Sequence, residues 1–382
     1  MSPKHQRASF TPRRRALLLA TPAAAVARPS AGQPGRPAGK PLTVAQIVDT
    51  SPAQQDVSKD FLIGSRAAWQ DINARGGVRG RPVTHLTVEV DGTPASPRAA
   101  LGSLRDNPSC VVLSGTAGDP VAVQVIDLLR QDNLPIAHVA PWLQDSVSDV
   151  DDSTFPIFAS RQEQIVHALK SLTTLGVKDV GAVFASPTEQ ALYGRELERV
   201  AATLNLQLKT YRGGGDLVRL GLQLTPGTPA ILLFIGGTPE LVQFTQGLEQ
   251  QQRQRYLVAL ADVNLQTMVQ MGGGRSIPVI ATQPVPMVTA SLPIVRAYRD
   301  TLGRLFDEPP ATLSLAGFIA ARYTSEVMAE VDVPLTRQSV LAAFRRRATL
   351  DLGGFRVSFD QRRRSGAFVT QSMLTPDGRV LG

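Results

Sequence analysis

The chain has 382 residues, 43% of them hydrophobic, and its 40 lysines and arginines exceed its 32 acids by eight charges. That length is more than one hydrophobic core normally serves, so two lobes are favoured. The excess resides in Lys4, Arg7, Arg13, Arg14, Arg15, Arg28, Arg36 and Lys40, a stretch without acids, and the rest is formally neutral. A nucleic-acid binder carries its positive charge on the folded body, so that class is excluded.

Residues 1–27 read as an export signal: a basic region from Lys4 to Arg15, an apolar run from Ala16 to Ala27, and the small-x-small site Ala25-Val26-Ala27. Arg13-Arg14-Arg15 before Ala16-Leu17-Leu18-Leu19 resembles a twin-arginine signal, which implies export in a folded state. Residues 28–41 form a Pro/Gly/Ala linker. No later stretch reaches the length of apolar residues that spans a bilayer, so no transmembrane segment is expected in the mature chain. The lone Cys110 has no disulfide partner and stands in a strand-like run, Cys110-Val111-Val112-Leu113, as a core thiol.

The elements then alternate. Leu42 to Val48 is a strand, and Phe61 to Asn73 a helix with apolar residues at helical spacing. Gly76-Gly77 ends that helix and turns the chain into a strand, Val83 to Val90. A short helix from Pro97 to Arg105, a strand from Cys110 to Ser114, a helix from Val121 to Gln131 and a strand from Ile136 to Val139 follow. The pattern restarts with a helix from Gln162 to Leu175, a strand from Val180 to Ala185, a helix from Tyr193 to Ala202 and a strand including Leu206 to Leu208. Ala230 to Ile235, Tyr256 to Leu260 and Ile277 to Ile280 are strands, with a helix from Leu241 to Gln251. Such succession builds parallel sheets covered on both faces, with ligands at the carboxyl ends of the strands. Helices are expected at Leu292 to Phe306, Leu313 to Val331 and Thr336 to Arg345. Leu352 to Phe359 and Phe368 to Leu374 read as hairpin strands joined through Gln361-Arg362-Arg363-Arg364-Ser365-Gly366.

Catalytic signatures are missing. His5, His85, His138 and His167 show no metal-ligand spacing, and no GxSxG elbow or GxxxxGK[ST] loop occurs. The clusters Gly213-Gly214-Gly215 and Gly272-Gly273-Gly274 read as turns. Gly115-Thr116-Ala117-Gly118-Asp119 follows a strand and precedes a helix, a setting that offers backbone N–H groups to an anion. Asp119, with Pro120 after it, either caps that helix alone or caps it and also touches ligand.

The GGVRGR unit at 76–81, Val112-Leu113-Ser114-Gly115-Thr116 with Leu134-Pro135-Ile136 after it, and Leu172-Thr173-Thr174-Leu175-Gly176-Val177 come in a telling order. Tyr193-Gly194, Leu315-Ala316-Gly317-Phe318-Ile319-Ala320-Ala321 and Asp351-Leu352-Gly353-Gly354-Phe355-Arg356-Val357-Ser358-Phe359 continue it. Together these blocks resemble the periplasmic leucine/isoleucine/valine-binding family over roughly 42–380. The resemblance implies an α/β type I periplasmic binding protein fold, two Rossmann-like lobes with parallel sheets and three interlobe crossovers. Lobe one would be 42–158 plus 287–349 and lobe two 159–286 plus 350–382, with crossovers near Pro156, Val285 and Asp351.

The resemblance also implies ligand contacts at Gly115–Asp119 and Val139–Trp142 in lobe one, and at Tyr193, Gly236-Gly237-Thr238 and Ala261-Asp262 in lobe two. The candidate ligand-binding residues are Thr116, Asp119, Trp142, Tyr193, Thr238 and Asp262. Two family hydroxyls that hold an amino acid's carboxylate fall at Asp119 and Pro141 and are therefore lost, leaving Thr116 and turn amides to compensate. Trp142 offers a flat apolar wall or packs in the hinge, and Gln283 bonds ligand or holds the hinge.

The implied function is the periplasmic substrate-binding component of an ABC-type uptake system. It would bind a small polar or amino-acid-like ligand and dock on a membrane-embedded permease, with no cofactor, metal or turnover. The alternatives are a ligand-sensing protein, a degenerate member acting through protein interaction, and an α/β enzyme.

Overall fold

The structure, a computed structural model, describes residues 40–145, 150–212, 214–274, 276–366, 368–375 and 378–381. The expected export signal and nearly all of the 28–41 linker lie outside the described residues.

The first sheet is parallel and runs β2-β1-β3-β4-β5, from β1 (Leu42–Asp49), β2 (Val83–Val90), β3 (Cys110–Ser114), β4 (Ala137–Val139) and β5 (Thr154–Phe155). β1 is buried along its whole length, as a central strand covered on both faces requires. The connecting helices are α1 (Gln55–Ala74), α2 (Ala95–Arg105) and α3 (Asp119–Asp132). Gly76 and Gly77, at φ +103° and +75°, end α1; a Cβ on Gly77 would stand 2.0 Å from the carbonyl oxygen of Arg81.

The second sheet runs β14-β13-β10-β9-β8-β6-β7. Its parallel part comprises β6 (Asp179–Phe184), β7 (Gln207–Arg212), β8 (Ile231–Ile235), β9 (Tyr256–Ala259) and β10 (Val279–Gln283). α4 (Arg161–Thr174), α5 (Pro187–Thr203), α6 (Leu217–Gln223), α7 (Thr238–Leu248) and α8 (Leu265–Gln270) accompany it. β13 (Thr370–Leu374) and β14 (Val380–Leu381) complete it antiparallel.

After β10 the chain returns to the first sheet. α9 (Pro293–Leu305) and α10 (Thr312–Ala329) pack on α1, and α11 (Arg337–Arg345) lies against β3 and β4. β11 (Leu350–Asp351) and β12 (Arg356–Val357) pair with each other. Phe355 and Val357 are buried in the core that holds α1, α9 and α10, and Leu350 and Leu352 pack against it. The third crossing therefore lies after β12 and before β13, beyond the expected position near Asp351. Nor do 352–359 and 368–374 form a hairpin: β13 pairs with β10, Gln283 opposite Thr370. Alternation identifies a strand but not its partner. Among the described residues no helix is long and apolar enough to cross a membrane.

Candidate functional site

The site lies where strands of both sheets end. β3 leads through a glycine turn to Asp119, β4 to Trp142, and the first crossing to Arg161 at the start of α4. From the second sheet, β6 leads to Glu189, β8 to Gly236, Gly237 and Glu240, and β9 to Asp262. Parallel α/β sheets bind ligands at such carboxyl ends.

Arg161 organises the charge. Its Nε donates to Asp262 Oδ2 at 2.8 Å and its Nη2 to Asp262 Oδ1, the paired-donor geometry that suits a carboxylate. Nη2 also lies 3.5 Å from Asp119 Oδ2, and Nη1 donates to the Tyr193 hydroxyl. The guanidinium carbon stands 4.8 Å from the Tyr193 ring centre. Burial alone would favour a neutral Arg161, but Asp262 and Asp119 outweigh it and hold the guanidinium well above its ordinary value. α4 places this side chain through a capping box, in which Ser160 and Glu163 satisfy the first amides.

Asp119 is the first residue of α3 and does not act as its cap. Its Oδ1 accepts the backbone N–H groups of Gln144 and Asp145 at 2.7 and 2.9 Å, so it braces the loop after β4. Burial pushes its carboxyl above the usual range, with Arg161 pulling it down. Glu189 is likewise raised by burial, opposed by a hydrogen bond from the Ser186 hydroxyl.

A cavity of about 240 Å³ opens here, lined by Asp119, Trp142, Arg161, Glu189, Glu240 and Asp262 among others. Three of the six residues anticipated from sequence therefore share one cavity. Thr238 lines a neighbouring cavity of about 440 Å³, where its hydroxyl donates to Asp56 Oδ2 at 3.2 Å and accepts the N–H of Asn264 at 2.9 Å. Tyr193 is 2% exposed and lines neither cavity; its ring lies beneath Arg161 rather than over open space. Burial pushes its hydroxyl up to about 12. Thr116 also lines neither: it is fully buried, with its hydroxyl 2.9 Å from His138 Nε2. Trp142 joins both readings offered for it, packing edge-on to Phe61 with ring centres 6.0 Å apart while lining the cavity.

Sequence reasoning passed over Arg161, Glu189 and Glu240. Arg161 left one signal, because a cation at a helix N-terminus opposes the helix dipole and so needs another partner. Among the described residues no group of His, Cys, Asp and Glu side chains could hold a metal ion.

Comparison with solved structures bears out the fold. An extracellular ligand-binding receptor from Verminephrobacter eiseniae ef01-2 is similar at a TM-score of 0.79 and 18% identity, covering 89% of this chain and 99% of that one. A substrate-binding periplasmic protein from Ralstonia solanacearum gives 0.76 and 19%, with 89% and 99% covered. An ABC transporter substrate-binding protein from Desulfitobacterium hafniense in complex with Leu gives 0.69 and 16%, with 89% and 100% covered. No curated protein matches the sequence. The family model described as periplasmic binding protein matches residues 41–375. With its two parallel-sheet lobes and crossovers, the chain belongs to the periplasmic binding protein family, a family of binding proteins and not of enzymes.

Proposed function

We propose that this chain is the substrate-binding component of an ABC-type uptake system, exported to the periplasm by the twin-arginine route, that hands a small polar ligand to a membrane-embedded permease. The ligand sits between the lobes, in the cavity that Asp119, Trp142, Arg161, Glu189, Glu240 and Asp262 line. The observation that carries this reading is the charge chain Asp119–Arg161–Asp262, which links a residue from the end of β3 to one from the end of β9 across that cavity. Closure of two lobes on a ligand would complete such a chain.

Within the leucine/isoleucine/valine-binding resemblance, simple branched-chain amino acids are disfavoured. Asp119 sets a carboxylate beside the ligand's own, and its Oδ1 is already committed to the amides of Gln144 and Asp145. Proline at 141 supplies no N–H or hydroxyl.

Mass spectrometry of the molecule released from purified protein, followed by calorimetry against an amino-acid panel, tests the reading. Leucine, isoleucine and valine should bind at least about tenfold more weakly than the released ligand, a difference of about 1.4 kcal/mol. The pair Asp119→Ser and Pro141→Thr should raise leucine affinity. Tight leucine binding by the unaltered protein would refute the ligand class, and absence of any released or bound small molecule would refute the transport reading.

A further inference from the structure

We propose, resting on the uptake reading above, that the ligand of the charged cavity is a small organic cation without a carboxylate, a short primary amine or diamine. Four carboxylates line the cavity, those of Asp119, Glu189, Glu240 and Asp262, against one cation, Arg161. Arg161 is spent on Asp262, on Asp119 and on the Tyr193 hydroxyl. The ion pairs of the cavity are those of Arg161, and among the described residues Glu189 and Glu240 enter none. Burial raises the carboxyls of Asp119 and Glu189; Arg161 lowers both and Asp262 raises them further, so the one cation does not offset burial.

Helix N-termini are the other places where a cleft of this kind receives charge, and they favour anions. Here each helix that starts at the cavity already carries an acid in its first turn: Asp119 on α3, Glu163 on α4, Glu189 on α5 and Glu240 on α7. Proline in the first turn of α3, α5 and α7 removes an amide from each. The Ser186 hydroxyl accepts the Glu189 N–H at 3.3 Å and donates to its carboxylate at 2.6 Å. A Cβ on Gly237 would stand 2.9 Å from Glu240 Oε2, so that carboxylate folds back over the end of α7. An anionic ligand therefore meets helix ends already faced by carboxylates and an arginine already paired. Each helix end offsets about half a charge at most, which leaves the cavity negative. Closure over a neutral ligand would strip water from Glu189 and Glu240 with no cation to replace it, a costly burial. An ammonium group supplies that cation, and Ala53, Val57, Pro120 and Trp142 wall its methylene chain. The volume of about 240 Å³ lies below the common range of ligand pockets and keeps the molecule short.

The probes are 1,4-diaminobutane, 4-aminobutan-1-ol and 1,4-butanediol, equal in length and carrying two, one and no positive charges, with 4-aminobutanoate to add a carboxylate. They are titrated by calorimetry into the dialysed mature protein. The diamine should bind most tightly, and the diol and 4-aminobutanoate at least about tenfold more weakly. Glu189→Gln and Glu240→Gln keep size and hydrogen bonding but remove the charge, and each should weaken the diamine at least about tenfold. Urea midpoints close to that of the unaltered protein would separate lost charge from lost fold; should a variant fold poorly, the order of the probes on the unaltered protein still decides. Failure of both amines to bind, equal affinities for all probes, tighter binding of 4-aminobutanoate, or undiminished diamine affinity in both variants would overturn the proposal. A neutral or anionic molecule released from the purified protein would overturn the cation and leave the uptake reading standing. Absence of any released or bound small molecule refutes that reading itself, so the two failures are distinct.

Discussion

Arg161 shows what one side chain can do to a cleft. Its donors are taken by Asp262, Asp119 and the Tyr193 hydroxyl, so it neutralises two buried carboxylates at once. Removing it leaves those carboxylates facing each other with no cation between them. Breaking a buried pair by deleting one partner costs about 3–5 kcal/mol, and Arg161→Met should fall near the lower end, about 3 kcal/mol, because water reaches part of the group. Urea denaturation measures this; combining it with Asp262→Asn should recover part of the loss, and a lone effect below about 1 kcal/mol would mark the pair as an exposed one. The carboxylates Asp119 and Asp262 could be placed from sequence because they follow strands, where the resemblance puts ligand contacts. Arg161 could not, since it sits just past a crossover and its partners lie far off in the chain. Thr116 illustrates the opposite failure. Its position in a glycine turn invites a ligand, but its hydroxyl turns inward to His138, and nothing local in the sequence announces that.

At the scale of elements, the strongest constraint is the contact of α1 with α10. A Cβ on Gly64 would lie 1.6 Å from the carbonyl oxygen of Ser314, and one on Gly317 1.9 Å from that of Phe61. The two backbones touch, and Ser65 Oγ donates to both Phe61 O and Gly317 O, at 3.1 and 3.3 Å. Alanine is the better helix former by about 1 kcal/mol, yet here its methyl forces the helices apart, so Gly317→Ala should destabilise by at least about 2 kcal/mol net. Gly303 in α9 has nothing near its missing Cβ. Gly303→Ala should therefore be neutral or stabilising by up to about 1 kcal/mol. Chemical denaturation of both variants checks the contrast, and equal effects would mean that the close approach is not what the glycine serves. The sequence made most elements legible because period and punctuation are local: the apolar stripe and Gly76-Gly77 fix α1 without knowledge of its partners. It hid β5, whose two residues carry no period, and it mispaired the 352–359 and 368–374 segments. Pairing is decided by which sheet has an open edge, and β10, paired with β9 on one side, offers its other edge to β13.

For the molecule as a whole, folding is linked to pH through two buried histidines. His138 on β4 is fully buried, and burial pushes it down to about 3. His85 on β2 is pushed down to about 4, by burial first and by the Arg66 cation second. In the unfolded chain both take a proton near their ordinary value of about 6.5. Between that value and the folded ones the unfolded state binds more protons, so stability is full above about 6.5 and falls as the pH drops. Each histidine removes about 1.4 kcal/mol per pH unit, or about 2 kcal/mol each by pH 5. The buried carboxyls of Asp60, Asp119 and Glu189 act in the opposite sense, since burial raises them and the folded state then holds protons that the unfolded state has released. The raw pH profile therefore mixes both signs, and the difference between the unaltered protein and His138→Gln isolates one histidine. Glutamine keeps a hydrogen-bonding group opposite the Thr116 hydroxyl and cannot titrate. Unfolding free energies measured from pH 7 to pH 4.5 should show the variant losing about one proton's slope less below pH 6.5, with the two curves converging as the pH falls. Parallel curves across that range would show that His138 takes its proton in the folded protein as readily as in the unfolded chain, and that its burial against Thr116 and Thr154 does not hold it neutral.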